Sequence, residues 1–271
     1  MIDTTMPATN FRRRPLAALA RAEFLQFRRN KTLVYMATVF PIGTPLAQYL
    51  IARKDEPATA AMAATTFEML ALLTLLFVQY YSVLSMVTTR RGEGVLKRLR
   101  TGEAADWQIQ TAPAVPGVLV TLACTVVVAA VVYGTGAPAP VNPVAIALGL
   151  IGGVALFALL ALATSAVTKN AEAAQITSLP VMIVAMLGLG SIRGVLPDRL
   201  AAVADWTPFA AVSDLVSLGA AGKPATAADA DVAAGFTGTF ADLGRPFATL
   251  ALWTVLAVVL TRRSFRWDDR G

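Results

Sequence analysis

Long apolar stretches alternate with short charged segments along this chain of 271 residues. Six stretches contain no Asp, Glu, Lys or Arg: residues 32–52, 69–89, 113–133, 144–167, 173–192 and 246–261. The first five have the length of a bilayer-crossing helix, which takes ~20 residues, and the sixth reaches it if its helix begins near Phe240. None shows the strict alternation of a barrel strand. The pattern therefore predicts an all-α polytopic membrane protein, with six transmembrane helices in one domain over residues 1–271.

The basic residues between the stretches predict an orientation. Of the 23 Lys and Arg residues, seventeen lie in segments 1–31, 90–111, 168–172 and 262–271, and six lie on the other side. Because basic residues concentrate in cytoplasmic loops, we expect both termini in the cytoplasm and the chain in the cell membrane. The net charge of +6 belongs to segments that flank membrane helices, so we expect the lipid bilayer, and no nucleic acid, as a partner.

The segment 15–30 has the two-faced pattern of an amphipathic helix. Its apolar stripe holds Leu16, Ala20, Phe24 and Phe27, and its basic stripe holds Arg14, Arg21 and Arg28. Such a helix lies in the membrane interface, with its Arg side chains near anionic lipid headgroups. The alternative is a basic topology signal without fixed structure.

The segment 195–245 is the longest one on the side opposite to the termini. Its first half predicts two short amphipathic helices, and the second of them begins with Thr207 as its cap and Pro208 in its first turn. We expect these helices to enter or to lie on the outer leaflet, as re-entrant or interfacial elements between the fifth and sixth spans.

The composition of the chain excludes most kinds of catalytic site. The chain has no His, which excludes His-based triads and imidazole metal sites, and its one Cys, Cys124, lies inside an apolar stretch. Residues 219–224 read Gly-Ala-Ala-Gly-Lys-Pro, which lacks the spacing and the Ser or Thr of a phosphate-binding loop. We therefore expect a chain that is not an enzyme, binds no metal or other cofactor and has no ATPase site of its own.

Polar groups in the apolar stretches are few. Glu68, Gln79 and Ser82 fall on one helical stripe at the second stretch and are candidates to line a translocation path. One interpretation is that this stripe faces a polar cavity. The other is that Glu68 is hydrated at the membrane interface and that Gln79 bonds a neighbouring helix. We favour this second interpretation for Glu68, and for Gln79 both interpretations stay open. The scarcity of charge argues against proton coupling.

The segment 90–102 reads Arg-Arg-Gly-Glu-Gly-Val-Leu-Lys-Arg-Leu-Arg-Thr-Gly. Val95, Leu96 and Leu99 form a small apolar face at helical spacing, with charges around it. A segment that only set orientation would not need an apolar face, whereas a segment that docks into the groove of a partner would. A solvated basic loop is the alternative.

This segment, the amphipathic helix before it and the six stretches resemble the membrane subunits of type-2 ATP-binding-cassette (ABC) exporters over nearly the whole chain. Family members have a similar charged stretch that contains Glu-Gly and ends in Leu-Arg-Thr, and it forms the coupling helix that docks onto the ATPase. The Trp-Thr-Pro-Phe of residues 206–209 is similar to the family's paired external helices. The resemblance implies an ATPase-docking surface made of Arg91, Glu93, Val95, Leu96, Lys97, Leu99 and Arg100.

Within that family the chain is most similar to drug- and antibiotic-efflux permeases. The resemblance implies a permease that exports a hydrophobic or amphipathic small molecule, such as a drug, an antibiotic or a lipid. It also implies an ABC ATPase subunit, which carries ATP and Mg, and a second permease, either a copy that completes a homodimer, which we favour, or a different permease chain. Two other classes stay open: an ion-coupled secondary transporter, which would work without ATP, and a membrane scaffold or sensor that transports nothing.

Overall fold

The fold is described from a computed structural model over residues 15–102, 104–228 and 231–268, and this part of the chain is helical with no strand. The helices are α1 (Pro15–Arg29), α2 (Lys31–Ala52), α3 (Ala60–Gly92), α4 (Val95–Arg100), α5 (Asp106–Gly134), α6 (Pro143–Ser165), α7 (Ala173–Leu187), α8 (Gly190–Arg193), α9 (Asp198–Ala204), α10 (Pro208–Ala221) and α11 (Thr239–Ser264). Within α3, the stretch Thr74–Tyr81 is π-helical. Arg14, from the predicted basic stripe, lies outside the described residues.

Polar side chains fix where several helices begin. Asn30, Thr59, Asn142 and Thr207 cap α2, α3, α6 and α10. Each accepts a hydrogen bond from a first-turn amide that has no partner within its helix. At the start of α10, Thr207 Oγ1 accepts from the amide of Ala210 across 3.3 Å, and Pro208 follows the cap. The predicted start of the second external helix is therefore confirmed.

Five of the described helices are long and apolar enough to cross a membrane: α2, α3, α5, α6 and α11. The sixth predicted stretch does begin near Phe240, since α11 starts at Thr239. The fifth stretch is broken, because α7 stops at Leu187 and a turn begins at Gly188. Its 15 residues rise only ~22 Å, which is less than the hydrocarbon thickness of ~30 Å.

The short helix α7 still connects the two ends of the bundle. At one end, the hydroxyls of Thr168 and Thr177 lie 2.8 Å apart in a hydrogen bond. At the other end, the amide of Gly190 donates to Glu68 Oε1 across 2.6 Å. Glu68 lies two turns inside α3, so the chain turns back before it reaches the level at which α3 begins. The described residues therefore contain five helices of spanning length, and the fifth predicted stretch forms a shorter apolar helix.

The helix α10 is an interior element. Every residue of α10 except Asp214 is buried, and it packs against α3, α6 and α11. Glycine on α6 permits the close approach, since a Cβ added at Gly149 would lie 3.0 Å from Leu215 Cβ. The structure thus shows a helix packed inside the bundle, and its expected placement, re-entrant or on the outer leaflet, stays a prediction.

Apolar side chains cover the outside of the bundle. Tyr35 and Ile51 of α2 are 59% and 74% exposed, and Leu252 and Val255 of α11 are each 62% exposed. A soluble surface rarely carries continuous apolar faces of this kind, whereas hydrocarbon accommodates them without cost. These faces are consistent with a multi-pass membrane protein.

Candidate functional site

The short helix α4 follows α3 after a turn at Gly92–Gly94. Gly94 has a φ of +67°, in the left-handed region that favours glycine, and so permits the reversal. Leu96 is buried in the same apolar cluster as Ile109 of α5, and Leu99 packs against that cluster. The expectation that Leu96 faces a partner is therefore wrong, because the apolar side of α4 fastens it to its own chain.

The outer side of α4 is charged. Glu93, Lys97 and Arg98 are exposed, and Val95 is half-buried. Arg100 is also exposed; its guanidinium stacks 4.7 Å from the ring centre of Trp267, and its Nε lies 3.4 Å from Asp106 Oδ1. The exposed side of α4 is therefore a cationic rim, formed by Lys97, Arg98 and Arg100, with little apolar surface.

Arg91, which the resemblance places on the docking surface, is instead buried. Its guanidinium donates to the backbone oxygens of Ser165, Thr168 and Lys169. These atoms lie at the end of α6 and in the turn to α7, where helix carbonyls have no intrahelical partner. Arg91 therefore fixes this turn to the end of α3.

Its neighbour Arg90 joins α3 to α1. Arg90 pairs with the carboxylate of Glu23, which is fully buried, and donates to Gln26 Oε1 across 2.9 Å. Phe27 is also buried against the bundle, whereas Phe24 is 37% exposed. The amphipathic helix is thus present, but Glu23 takes the inward position that its apolar stripe would give to Phe24.

The stripe of Glu68, Gln79 and Ser82 does not face one cavity. A π-helical turn holds more residues than an α-helical turn, so the stretch Thr74–Tyr81 rotates the residues after it relative to those before it. Ser82 Oγ donates to the carbonyl of Phe77, five residues back. Glu68 lines a pocket of about 290 Å³ near the end of α10, and Gln79 lines a different groove.

That groove lies between α5 and α6 and has a volume of about 910 Å³. Its walls are mostly apolar side chains, such as Val118, Leu122, Leu150 and Ile151, and Gln79 of the π-helical stretch contributes to its lining. Gln79 is fully buried, and neither of its side-chain polar atoms has a hydrogen-bond partner among the described residues. The bond from Gln79 to a neighbouring helix, which the sequence left as an open interpretation, is therefore absent among the described residues.

Glu68 belongs to a buried polar cluster at the other end of the bundle. It is 6% exposed, so its expected hydration is wrong. Its Oε1 accepts from Gly190 N and from Ser213 Oγ, and Ser213 Oγ lies 3.3 Å from Arg193 Nη2. Glu68 is thereby linked to the turn after α7 and to α10.

Arg193 is the centre of this cluster, with its side chain 1% exposed. It donates to Asp214 of α10 across 2.6 Å, to Asp205 across 2.7 Å and to the carbonyl of Gly188 across 3.1 Å. Asp205 in turn accepts from Arg245 at the start of α11 across 2.8 Å. One network therefore ties together the turn after α7, the buried helix α10 and the last long helix, α11.

The two aspartates hold Arg193 in its charged form. Burial alone would raise the pKa of Asp205, but hydrogen bonds and charges from Arg193 and Arg245 outweigh it and lower that pKa below its ordinary value. Burial would likewise lower the pKa of Arg193, and Asp214 and Asp205 outweigh it and raise that pKa. A fully paired network of this kind is structural, since its partners satisfy one another.

Sequence reasoning missed Arg193, Asp205, Asp214 and the groove residue Thr121. Asp214 carried a signal, because it is the one charged residue within α10, and a charge in an apolar helix needs a partner. Thr121 also carried one, because Gly117, Thr121 and Thr125 recur every four residues and form a small or polar stripe on α5. The partners across space had no local signal.

A comparison with known protein families identifies the family of this chain. The ABC-2 type transporter family matches residues 14–216, which is about three quarters of the chain. No curated protein matches it. The match begins at α1, includes α4 and ends within α10, so it covers the segment that joins the spans at the basic end and the first part of the buried helix. The chain therefore belongs to the ABC-2 type transporter family and is a membrane permease of an ABC transporter.

Proposed function

We propose that this permease exports a hydrophobic or amphipathic small molecule, driven by a separate ABC ATPase subunit that docks on α4. The observation that carries the proposal is the construction of α4. Its apolar side is anchored on α5 through Leu96, and its cationic rim is exposed. Because only Glu93 and Gly94 separate α4 from α3, a push on α4 acts directly on the most buried span of the bundle.

The proposed docking surface is narrower than the sequence implies. It consists of Glu93, Lys97, Arg98 and Arg100, with the exposed edges of Val95 and Leu99. Leu96 and Arg91 support this surface from behind, because both are buried in their own chain. The partner subunit would bind ATP and Mg and would present an acidic or polar recess to the rim.

The proposed orientation follows the basic residues. The end of the bundle that holds α1, α4 and the tail after α11 is the basic one, and we place it in the cytoplasm of a cell-membrane protein. ATP hydrolysed inside the cell can then act on α4. A second copy of the chain would complete the path, and a homodimer is the simplest assembly.

The cargo class follows from the groove between α5 and α6. Its walls are apolar, and no charged side chain is among the described residues that line it. Desolvating a charged cargo there would cost free energy without a compensating ion pair. Drugs, antibiotics and lipids with large apolar portions fit these walls.

A charge reversal tests the docking surface. Lys97→Glu changes the exposed rim and leaves the apolar anchor intact, so we expect the tagged permease to fold and to lose co-purifying, Mg-ATP-dependent ATPase activity from native membranes. Lys54→Glu makes the same change at an exposed residue of the opposite end and is the matched control, which should retain that activity. Retention by Lys97→Glu would refute docking on α4. Leu96→Asp is unsuitable, since a buried carboxylate would disrupt the fold.

A further inference from the structure

The groove between α5 and α6 contains an unusual pair of polar groups. Both helices pack against the π-helical stretch Thr74–Tyr81, and the groove runs between them. Its lining on α5 extends from Gln110 to Thr125, which corresponds to ~22 Å along the helix. Its volume of about 910 Å³ lies within the range of sites for drug-sized ligands.

Gln79 is the first of the two groups. An amide can donate two hydrogen bonds and accept two, yet among the described residues neither Nε2 nor Oε1 of Gln79 has a partner. The residue is fully buried, so no bulk water replaces those partners. A buried amide without hydrogen-bond partners lowers the stability of the fold. An apolar residue at position 79 would avoid that cost.

Thr121 is the second group. A threonine in a helix commonly donates to a carbonyl of the preceding turn, as Thr125 does to Thr121 O and Thr74 does to Leu70 O. The hydroxyl of Thr121 has no such partner among the described residues, although the residue is 4% exposed. Thr121 and Gln79 line the same groove. Two independent buried groups with unused hydrogen-bonding capacity therefore meet one apolar space.

We propose that this groove binds an uncharged amphipathic molecule, whose amide, carbonyl or hydroxyl group pairs with Gln79 and Thr121 while its apolar body lies along α5 and α6. This inference rests on the proposed export function, because it identifies the class of the cargo. A purely apolar occupant would leave both polar groups unpaired. A charged occupant would lack an ion partner, since the described lining residues carry no charge.

Photoaffinity labelling of the purified full-length permease in phosphatidylcholine nanodiscs tests the site. The probes are three dodecyl diazirines that differ only in the head: a primary amide, a methyl group and a quaternary ammonium. We expect saturable labelling by the amide probe in segments 110–125 and 146–162. Its affinity should exceed that of the other two probes by about threefold or more, which is the gain of one to two net hydrogen bonds.

Three variants identify the partners. Gln79→Leu should weaken the amide probe by about 5–30-fold and leave the methyl probe unchanged or tighter, because the amide partner is lost and the apolar lining is retained. Thr121→Val should weaken the amide probe by about 2–10-fold. Thr125→Val is the matched control: it removes a hydroxyl that lines the same groove but already has a partner, and it should change affinity by less than about twofold.

Two results would overturn the inference. One is amide labelling that Gln79→Leu and Thr121→Val leave unchanged. The other is evidence that a second permease copy fills the groove. In that case Ile151→Cys, in a Cys124→Ala background, would cross-link two chains efficiently, and the amide probe would label neither α5 nor α6. Ile151 suits this purpose because it lines the groove and is 71% exposed.

A transport assay separates this inference from the export proposal. Inverted native-membrane vesicles that contain the permease should accumulate the amide probe when ATP is added, and at low probe concentration Gln79→Leu should lower the rate of accumulation by about 5–30-fold. Selective binding without ATP-dependent accumulation would refute export and leave the site in place. ATP-dependent accumulation that Gln79→Leu does not change would refute the site as a cargo site and leave export in place.

Discussion

The guanidinium of Arg91 lies at the end of α6, where its Nη1 donates to the backbone oxygen of Ser165 across 2.6 Å. Its other terminal nitrogen donates to Thr168 O and Lys169 O, so one side chain donates to three carbonyls of this segment. A cation is also favoured at a helix C-terminus because of the helix dipole. Arg91, in the basic segment 90–102, thus holds the ends of α3 and α6 together.

Replacing Arg91 by Lys should destabilise the protein even though the charge is retained. A single ammonium lacks the planar fork that reaches several carbonyls, and buried acceptors would lose their donor. We expect a loss of about 1–3 kcal/mol in the free energy of unfolding, measured by thermal unfolding in one detergent. Arg98→Lys, at an exposed position of α4, should change it by less than about 0.5 kcal/mol. Equal effects of the two variants would contradict the structural role of Arg91.

Asp214→Asn should be among the most destabilising polar substitutions at the opposite end. Asp214 accepts from both terminal nitrogens of Arg193, and removing its charge leaves a guanidinium that is 1% exposed with reduced compensation. Breaking a buried ion pair typically costs about 3–5 kcal/mol. Arg245→Ala, which removes a half-exposed partner of the same network, should cost no more than about 1 kcal/mol. Denaturant unfolding of the two variants compares them directly.

The same network makes stability depend on acid. Because Arg193 and Arg245 outweigh burial and lower the pKa of Asp205 in the folded state, its carboxylate stabilises the fold above the ordinary value of 3.8. That contribution disappears as the pH falls through the lowered folded pKa. The difference in unfolding midpoint between the wild type and Asp205→Asn should therefore be largest near neutral pH and shrink below about pH 4. A difference that grows in acid would contradict the sign.

The sequence predicts the features of the fold that depend on local properties. Span length and the cap at Thr207 are of this kind, since apolar length and first-turn hydrogen bonding involve only neighbouring residues. The break after Leu187 could not be read from hydropathy, because residues 188–192 are as uncharged as the helix before them. The turn that follows α7 is held by the hydrogen bond from Gly190 to Glu68, 122 residues away along the chain.

The candidate site was predicted less well, for two physical reasons. Helical spacing shows that Val95, Leu96 and Leu99 share a face, but it does not show what covers that face, and here α4 packs against α3 and α5 of its own chain. A stripe computed at 3.6 residues per turn also fails across a π-helical stretch. The residue type of Gln79 was therefore enough to make it a candidate. That Gln79 and Glu68 line different cavities could not be predicted from helical spacing.

Gly117 and Gln79 should be energetically coupled, since the glycine leaves room for the amide. A Cβ added at Gly117 would lie 3.3 Å from Gln79 Cδ, closer still to its Oε1, and 3.1 Å from the carbonyl of Val78. Gly117→Ala should therefore cost about 1–3 kcal/mol, and combining it with Gln79→Ala should cost less than the two single losses together, by about 1 kcal/mol. Gly134→Ala on the same helix has open space and is the control, with no such coupling to Gln79→Ala. Thermal unfolding of the wild type, the two single variants and the double variant completes each cycle, and strict additivity at Gly117 would show that the amide does not occupy this space.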